Sequence, residues 1–243
     1  MTDLSRTGIT LLPGWALDAA SMQPLRQALS AALPGATIAL ANLPALRMAE
    51  LEPGLTEWAE QLQPGLLVGW SLGGMLALQL QRRFPERFPA VVTLASNACF
   101  VQRKDWLPAM PAATWKQFYA DFCDQPEKTL KRFALLVSQG SEDARALARA
   151  LPWDQHNIEQ RLHLLALLGV LDNRAFLKRA TAPVLHCLGA ADALVPADAV
   201  EALRTLDPAA RICQHPAAGH ALALDQPDWV AAHIVEFMES LDV

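Results

Sequence analysis

No stretch of this 243-residue chain offers the roughly 18 consecutive apolar residues that a bilayer crossing needs, so no membrane partner is expected. The opening residues, Met1 to Arg6, are few and polar and lack the apolar core of a secretory signal. Cysteine is scarce. Cys99, Cys123, Cys187 and Cys213 form no C-x-x-C pair and no zinc-ligand spacing. All four read as free thiols in a reducing cytoplasm, with Cys187 and Cys213 acting as small buried hydrophobes inside apolar segments. Charge is thin too: 19% of residues are charged against 52% hydrophobic, unlike a disordered or coiled-coil chain. The net charge of −5 argues against a general nucleic-acid binder, which must neutralise phosphates with Lys and Arg. Repeats and low-complexity tracts are absent.

What is present is alternation. Gly8–Leu12 reads as a strand ended by Pro13-Gly14, and Ser21–Leu33 as a helix stopped by Pro34-Gly35. Ala36–Leu40, Leu66–Trp70 and Ala90–Ala95 are further strands, and Leu72–Phe84 is a helix closed by Pro85. Continuous apolar strands separated by helices predict a parallel sheet covered on both faces. After Ala98 the rhythm changes to helical periodicity alone. Pro126 suits the first turn of a helix, whose apolar face is Leu130, Phe133, Ala134 and Val137. Ser141-Glu142-Asp143 starts a second helix. Ile158, Leu162, Leu165 and Gly169 suggest a third apolar face. Strands resume at Pro183–Leu188 and Arg211–Gln214, and an amphipathic helix covers Pro227–Leu241. The expected fold class is α/β: a mostly parallel central sheet flanked by helices, formed by 1–97 and 179–243, with a helical insertion over 98–178 in the same domain.

The strongest chemical signal is Gly69-Trp70-Ser71-Leu72-Gly73-Gly74, between an apolar strand and a helix. This is the strand–turn–helix setting of a nucleophile elbow, in which a strained turn projects a serine hydroxyl from the sheet. A serine needs a base. Of six histidines, His220 stands in the small-residue loop Ala217-Ala218-Gly219-His220-Ala221 between the last strand and the last helix; His215 is a weaker competitor. His186 lies in an apolar strand and reads as core. The acid should follow the penultimate strand, where Asp192 lies, with Asp198 the better candidate for a helix cap. The order Ser71, Asp192, His220 is that of the α/β-hydrolase fold. An oxyanion hole needs two aimed backbone N–H groups; Leu72 would supply one and Trp15, after the first strand, the other.

At these residues the chain resembles the BioH-like carboxylesterases, the pimeloyl-[acyl-carrier protein] methyl ester esterases of biotin synthesis. Gly14-Trp15, Gly69-Trp70-Ser71-Leu72-Gly73-Gly74, Ala95-Ser96-Asn97-Ala98-Cys99-Phe100 and Gly219-His220 carry the resemblance. Pro13 replaces the usual histidine of the opening, and Asn42-Leu43-Pro44-Ala45-Leu46 replaces the Gly-x-Gly-x-Ser turn common after the next strand. The resemblance implies an α/β-hydrolase fold with a helical lid over 98–178 and a partner, the acidic acyl-carrier protein bearing a pimeloyl methyl ester. It places Lys128, Arg132, Arg145 and Arg149 at carrier-facing positions, and Phe133, Ala134, Leu135, Leu136 and Val137 in contact with substrate beside Trp15 and His220. Charge agrees: residues 101–180 hold 12 Lys and Arg against 9 Asp and Glu, whereas the rest holds 8 against 16. No metal or organic cofactor is implied, and a monomer is expected. A general short-chain esterase, a C–C bond hydrolase and a non-catalytic carrier-binding scaffold are the competing readings.

Overall fold

The computed structural model describes residues 8–180 and 182–241; the reading of Met1 to Arg6 lies outside them. Among the described residues six strands form one parallel sheet in the order β2-β1-β3-β4-β5-β6. They are β1 (Gly8–Leu12), β2 (Ile38–Leu40), β3 (Gly65–Trp70), β4 (Val91–Leu94), β5 (Val184–Gly189) and β6 (Arg211–His215). Every residue of β3 and β5 is buried, as expected when both sheet faces are covered. The order reverses between β1 and β3. In open α/β sheets such a switch point leaves a crevice at the carboxyl ends of the strands. Pro13-Gly14-Trp15 and Ser71 follow those two ends.

The covering helices are α1 (Gln23–Ala32), α2 (Leu51–Gln61), α3 (Leu72–Arg83), α9 (Ala199–Leu206), α10 (Leu222–Asp225) and α11 (Pro227–Leu241). Helix α3 packs on β3 and β4, and α1 packs on α11. Between β4 and β5 the chain forms α4 (Ala112–Asp124), α5 (Pro126–Ser138), α6 (Ala144–Ala150), α7 (Ile158–Val170) and α8 (Arg174–Leu177). These stack largely on one another, α4 on α5 and α7, and α5 on α6. Among the described residues no helix is long and apolar enough to cross a membrane.

Two departures from the sequence reading have plain causes. Helix α2 lies in a stretch for which no element is expected; Pro53 falls in its first turn, where a missing N–H costs nothing. The apolar face assigned to α7 is shifted. Ile158 is exposed, and the buried residues are Leu164, Leu165, Leu167 and Leu168. The Asn157–Gln160 capping box opens the helix in solvent, and only its later turns are buried.

His186 lies in β5 opposite Thr93 of β4, with the Thr93 Oγ1 2.6 Å from its Nδ1. Burial pushes this imidazole from the ordinary 6.5 down to about 4, so the native ring is neutral. Between those values the unfolded chain binds a proton that the folded chain does not. Its contribution to stability is therefore fully present above pH 6.5 and is lost as the pH falls toward 4. Urea unfolding across that window is expected to show a shallower acid slope for His186→Leu than for the wild type. Identical slopes would show that this ring does not contribute.

Candidate active site

Ser71 joins β3 to α3 in a left-handed conformation, φ 55° and ψ −116°, a geometry that non-glycine residues hold only when their surroundings enforce it. The enforcement is visible. The Ser71 N–H donates to the Leu94 carbonyl at 2.8 Å. Its own carbonyl accepts from Gly74 N at 3.0 Å, Met75 N at 3.2 Å and the Ser96 hydroxyl at 2.8 Å. The backbone of Ser71 is thus fixed on both sides at the carboxyl end of β3.

His220 is carried to this elbow by the loop after β6. The indole N–H of Trp70, the residue before Ser71, donates to the His220 carbonyl at 2.8 Å. The His220 Nδ1 lies 2.9 Å from Asp192 Oδ2 and 3.1 Å from Oδ1, and both side chains are almost wholly buried. A ring nitrogen facing a carboxylate carries the proton, which leaves Nε2 as the free base. Asp192 Oδ1 also accepts from Leu194 N at 2.7 Å and Val195 N at 3.0 Å, so one carboxylate fixes its own turn and the imidazole.

The competing histidine is engaged elsewhere. His215 Nδ1 accepts from Ala217 N at 3.3 Å and Ala218 N at 3.0 Å, closing the turn that leads to His220. Asp198 stands at the N-cap position of α9, but its side chain makes no capping bond there. Cys99 is buried, and that burial is the main cause of its thiol being pushed up to about 11. Burial also raises Cys187 and Cys213.

Trp15 lies in the turn after β1, against the elbow: a Cβ placed on Gly14 would meet the Ser71 Cβ at 3.5 Å. Among the described residues neither the Trp15 nor the Leu72 backbone N–H has a protein acceptor. The Trp15 ring is buried and meets Phe118, Phe122 and Phe133 edge-on at 5.9, 5.1 and 5.0 Å. Beside it is an apolar cavity of about 50 Å³, lined by Trp15, Trp115, Phe118, Phe133, Leu136 and Leu194 among others.

Of the five consecutive residues 133–137, the structure brings Phe133 and Leu136 to this cavity. Ala134 and Val137 are buried without lining it, and Leu135 is 53% exposed. Helical geometry explains this split, because at 3.6 residues per turn five successive side chains cannot share a face. The aromatic wall from α4 was missed. Trp115, Phe118 and Phe122 recur at i, i+3 and i+7, and that period was the available signal.

The basic residues also divide. Lys128, Arg132, Arg145 and Arg149 are all exposed. Arg132, however, is paired with Asp121 at 2.5 Å and lies over the Phe118 ring. Arg145 and Arg149 instead border a surface depression of about 470 Å³ together with Lys131, around Leu135, Ala148 and Trp153. Lys128 does not reach it. Lys131 was not foreseen, although it stands four residues before Leu135 on the same helix face.

Residues 8–233 match the alpha/beta hydrolase family. The pimeloyl-[acyl-carrier protein] methyl ester esterase of Aromatoleum aromaticum is 35% identical over 243 residues, covering 93% of this chain and 95% of that protein. The chain is a BioH-like member of the alpha/beta hydrolase family. The biotin biosynthesis bifunctional protein BioHC of Cellvibrio japonicus is 37% identical over 98% of this chain, which corresponds to 49% of that protein. This alpha/beta hydrolase thus spans about half or less of the length of the first curated relatives it matches. Among solved structures, the bromoperoxidase of Bacillus anthracis superimposes with a TM-score of 0.80 at 18% identity, covering 96% of this chain and 92% of that one. At that identity the likeness concerns the fold.

Proposed function

We propose that this chain is a serine carboxylesterase with Ser71 as nucleophile, His220 as general base and acid, and Asp192 as the orienting carboxylate. The observation that carries the reading is the buried His220–Asp192 pair, held by Trp70 beside the strained Ser71 elbow. In the mechanism, Ser71 Oγ attacks the ester carbonyl as His220 Nε2 takes its proton. The carbonyl oxygen becomes an alkoxide that accepts from the N–H groups of Trp15 and Leu72. Collapse breaks the carbon–alkoxy bond, and His220 returns the proton to the departing alkoxide, which leaves as the alcohol. His220 then deprotonates a water that attacks the acyl-enzyme, releasing the carboxylic acid and restoring Ser71.

The substrate we propose is the methyl ester of a pimeloyl group on acyl-carrier protein, giving methanol and the free acid in biotin biosynthesis. Support comes from relatives named for that ester at 35% and 32% identity over 93% and 90% of this chain. The helices between β4 and β5 act as a lid whose aromatic cavity takes the apolar chain. Arg145, Arg149 and Lys131 form a cationic rim that meets the acidic carrier. The small cavity volume favours one other reading, a short-chain carboxylesterase acting on free esters.

The two readings part in a direct test. Complementary charge acts mainly on encounter and weakens with salt. Arg145→Glu combined with Arg149→Glu is expected to raise KM several-fold for a carrier-linked pimeloyl methyl ester. It should leave kcat on a small free methyl ester unchanged. Added salt should slow the first reaction and not the second. Equal behaviour of the variant and the wild type toward both substrates would remove the carrier from the proposal and leave the short-chain esterase.

A further inference from the structure

The Trp15 turn is held by the helical insertion through a closed ring of bonds. The Trp15 indole N–H donates to the Arg161 carbonyl at 2.8 Å. The Arg161 guanidinium returns to Asp154, with Nε 2.7 Å from Oδ1 and a terminal nitrogen 2.8 Å from the Asp154 carbonyl. The Asp154 N–H then donates to the Ala16 carbonyl at 3.0 Å, next to Trp15. Two further ties flank the ring: Asp18 N donates to the Pro152 carbonyl at 2.9 Å, and Leu17 pairs antiparallel with Trp153. His156 completes the acid's shell, its Nδ1 2.9 Å from Asp154 Oδ2.

Both ring side chains are nearly buried, 7% exposed for Asp154 and 13% for Arg161. Burial alone would raise the Asp154 carboxyl, but the bonds from His156 and Arg161 outweigh it and hold the group below the usual carboxylate range. The turn needs such support. Ala16 has φ 62°, a left-handed conformation that a side chain disfavours and that persists only when its neighbours over-determine it. The Trp15 N–H belongs to this turn.

We propose that Asp154 and Arg161 are positioning residues of the oxyanion hole: through the Trp15–Ala16 turn they aim the Trp15 N–H at the alkoxide that develops on the substrate. The inference rests on the esterase reading above. It also gives the insertion a part in the chemistry, since the ring closes only while the 152–161 segment is seated on the turn. A donor misplaced by an ångström costs catalysis and not ground-state binding.

The test measures kcat and KM on a small free methyl ester, per active serine, counted by endpoint labelling of Ser71 with a fluorophosphonate. Asp154→Ala and Arg161→Ala are each expected to lower kcat per labelled site by about ten- to hundred-fold, with KM nearly unchanged. Affinity for an alkyl boronic acid, whose tetrahedral adduct places an anionic oxygen in the hole, should fall by a similar factor. The double variant should be no worse than either single one, because the ring is one unit. Asp154→Asn, which keeps an oxygen for Arg161, should recover part of the loss. If the variants merely yield fewer labelled sites or melt earlier while each site turns over at the wild-type rate, the ring is only structural and the inference falls. Absence of labelling at Ser71 in the wild type would overturn the esterase reading and the inference with it.

Discussion

Ser71→Ala and His220→Ala are each expected to lower kcat by about 10⁴- to 10⁶-fold, and the double variant should be little worse than either. Non-additivity is the informative part, because a nucleophile without its base and a base without its nucleophile fail at the same step. Asp192→Asn should cost about 10⁴-fold for a different reason. The amide can still accept from Leu194 N and Val195 N through one oxygen, so the loop survives. Its NH₂ would then face His220 Nδ1, and the imidazole must turn that nitrogen into an acceptor. The proton moves to Nε2, where it blocks the serine. Asp198→Asn, at the start of α9, should be nearly silent and serves as the control for a changed carboxylate nearby. The measurement is steady-state hydrolysis of a free methyl ester, with circular dichroism to confirm that each variant is folded. Full activity in Ser71→Ala or His220→Ala would sink the assignment, and a damaging Asp198→Asn beside a silent Asp192→Asn would move the acid.

How much of this was legible in the sequence depended on what kind of physics fixed each part. The strands were legible because a doubly covered parallel strand must be apolar throughout, and Leu66–Trp70 and Pro183–Leu188 have that composition. Their observed ends differ from the expected ones by at most two residues. The Ser71 elbow was legible because steric demand at a strained turn dictates glycine nearby. The hidden parts rest on contacts between segments far apart in the chain. Nothing local shows that Trp70 holds the His220 backbone across 150 positions, or that Arg161 reaches Trp15 across 146. Asp154, His156 and Arg161 lie far from the β1 exit in sequence, and only the folded chain brings them to the turn after it.

A second large effect is expected from a change that adds a single methyl group. Gly73 lies in α3, where ordinary helix propensity would make alanine the better residue by about 1 kcal/mol. Here the sign should reverse. A Cβ on Gly73 would lie under 3 Å from the backbone carbonyl oxygens of Pro13 and Leu12, and one on Gly69 would meet the backbone of Gly73 and Gly74 just as closely. Backbone cannot rotate away as a side-chain tip can, so the methyl must push β1's exit and the elbow apart. Overpacking of this kind costs about 1–3 kcal/mol and occasionally more. The displaced segment is also the one that carries Trp15, so the separation between the Ser71 hydroxyl and the Trp15 N–H should change with it. A shift of an ångström at that distance is worth about a hundred-fold in rate. Gly73→Ala is therefore expected to lower the melting temperature by several degrees and kcat by about a hundred-fold. Gly54→Ala is the matched control: it too is a helical glycine, but its added methyl would meet only the Cδ2 of Leu46, which can turn aside, and both stability and turnover should stay near wild type. Thermal melts and ester hydrolysis on the two variants decide the matter. If Gly73→Ala melts and turns over like Gly54→Ala, the close seating of α3 against the β1 exit is not what holds the site in register.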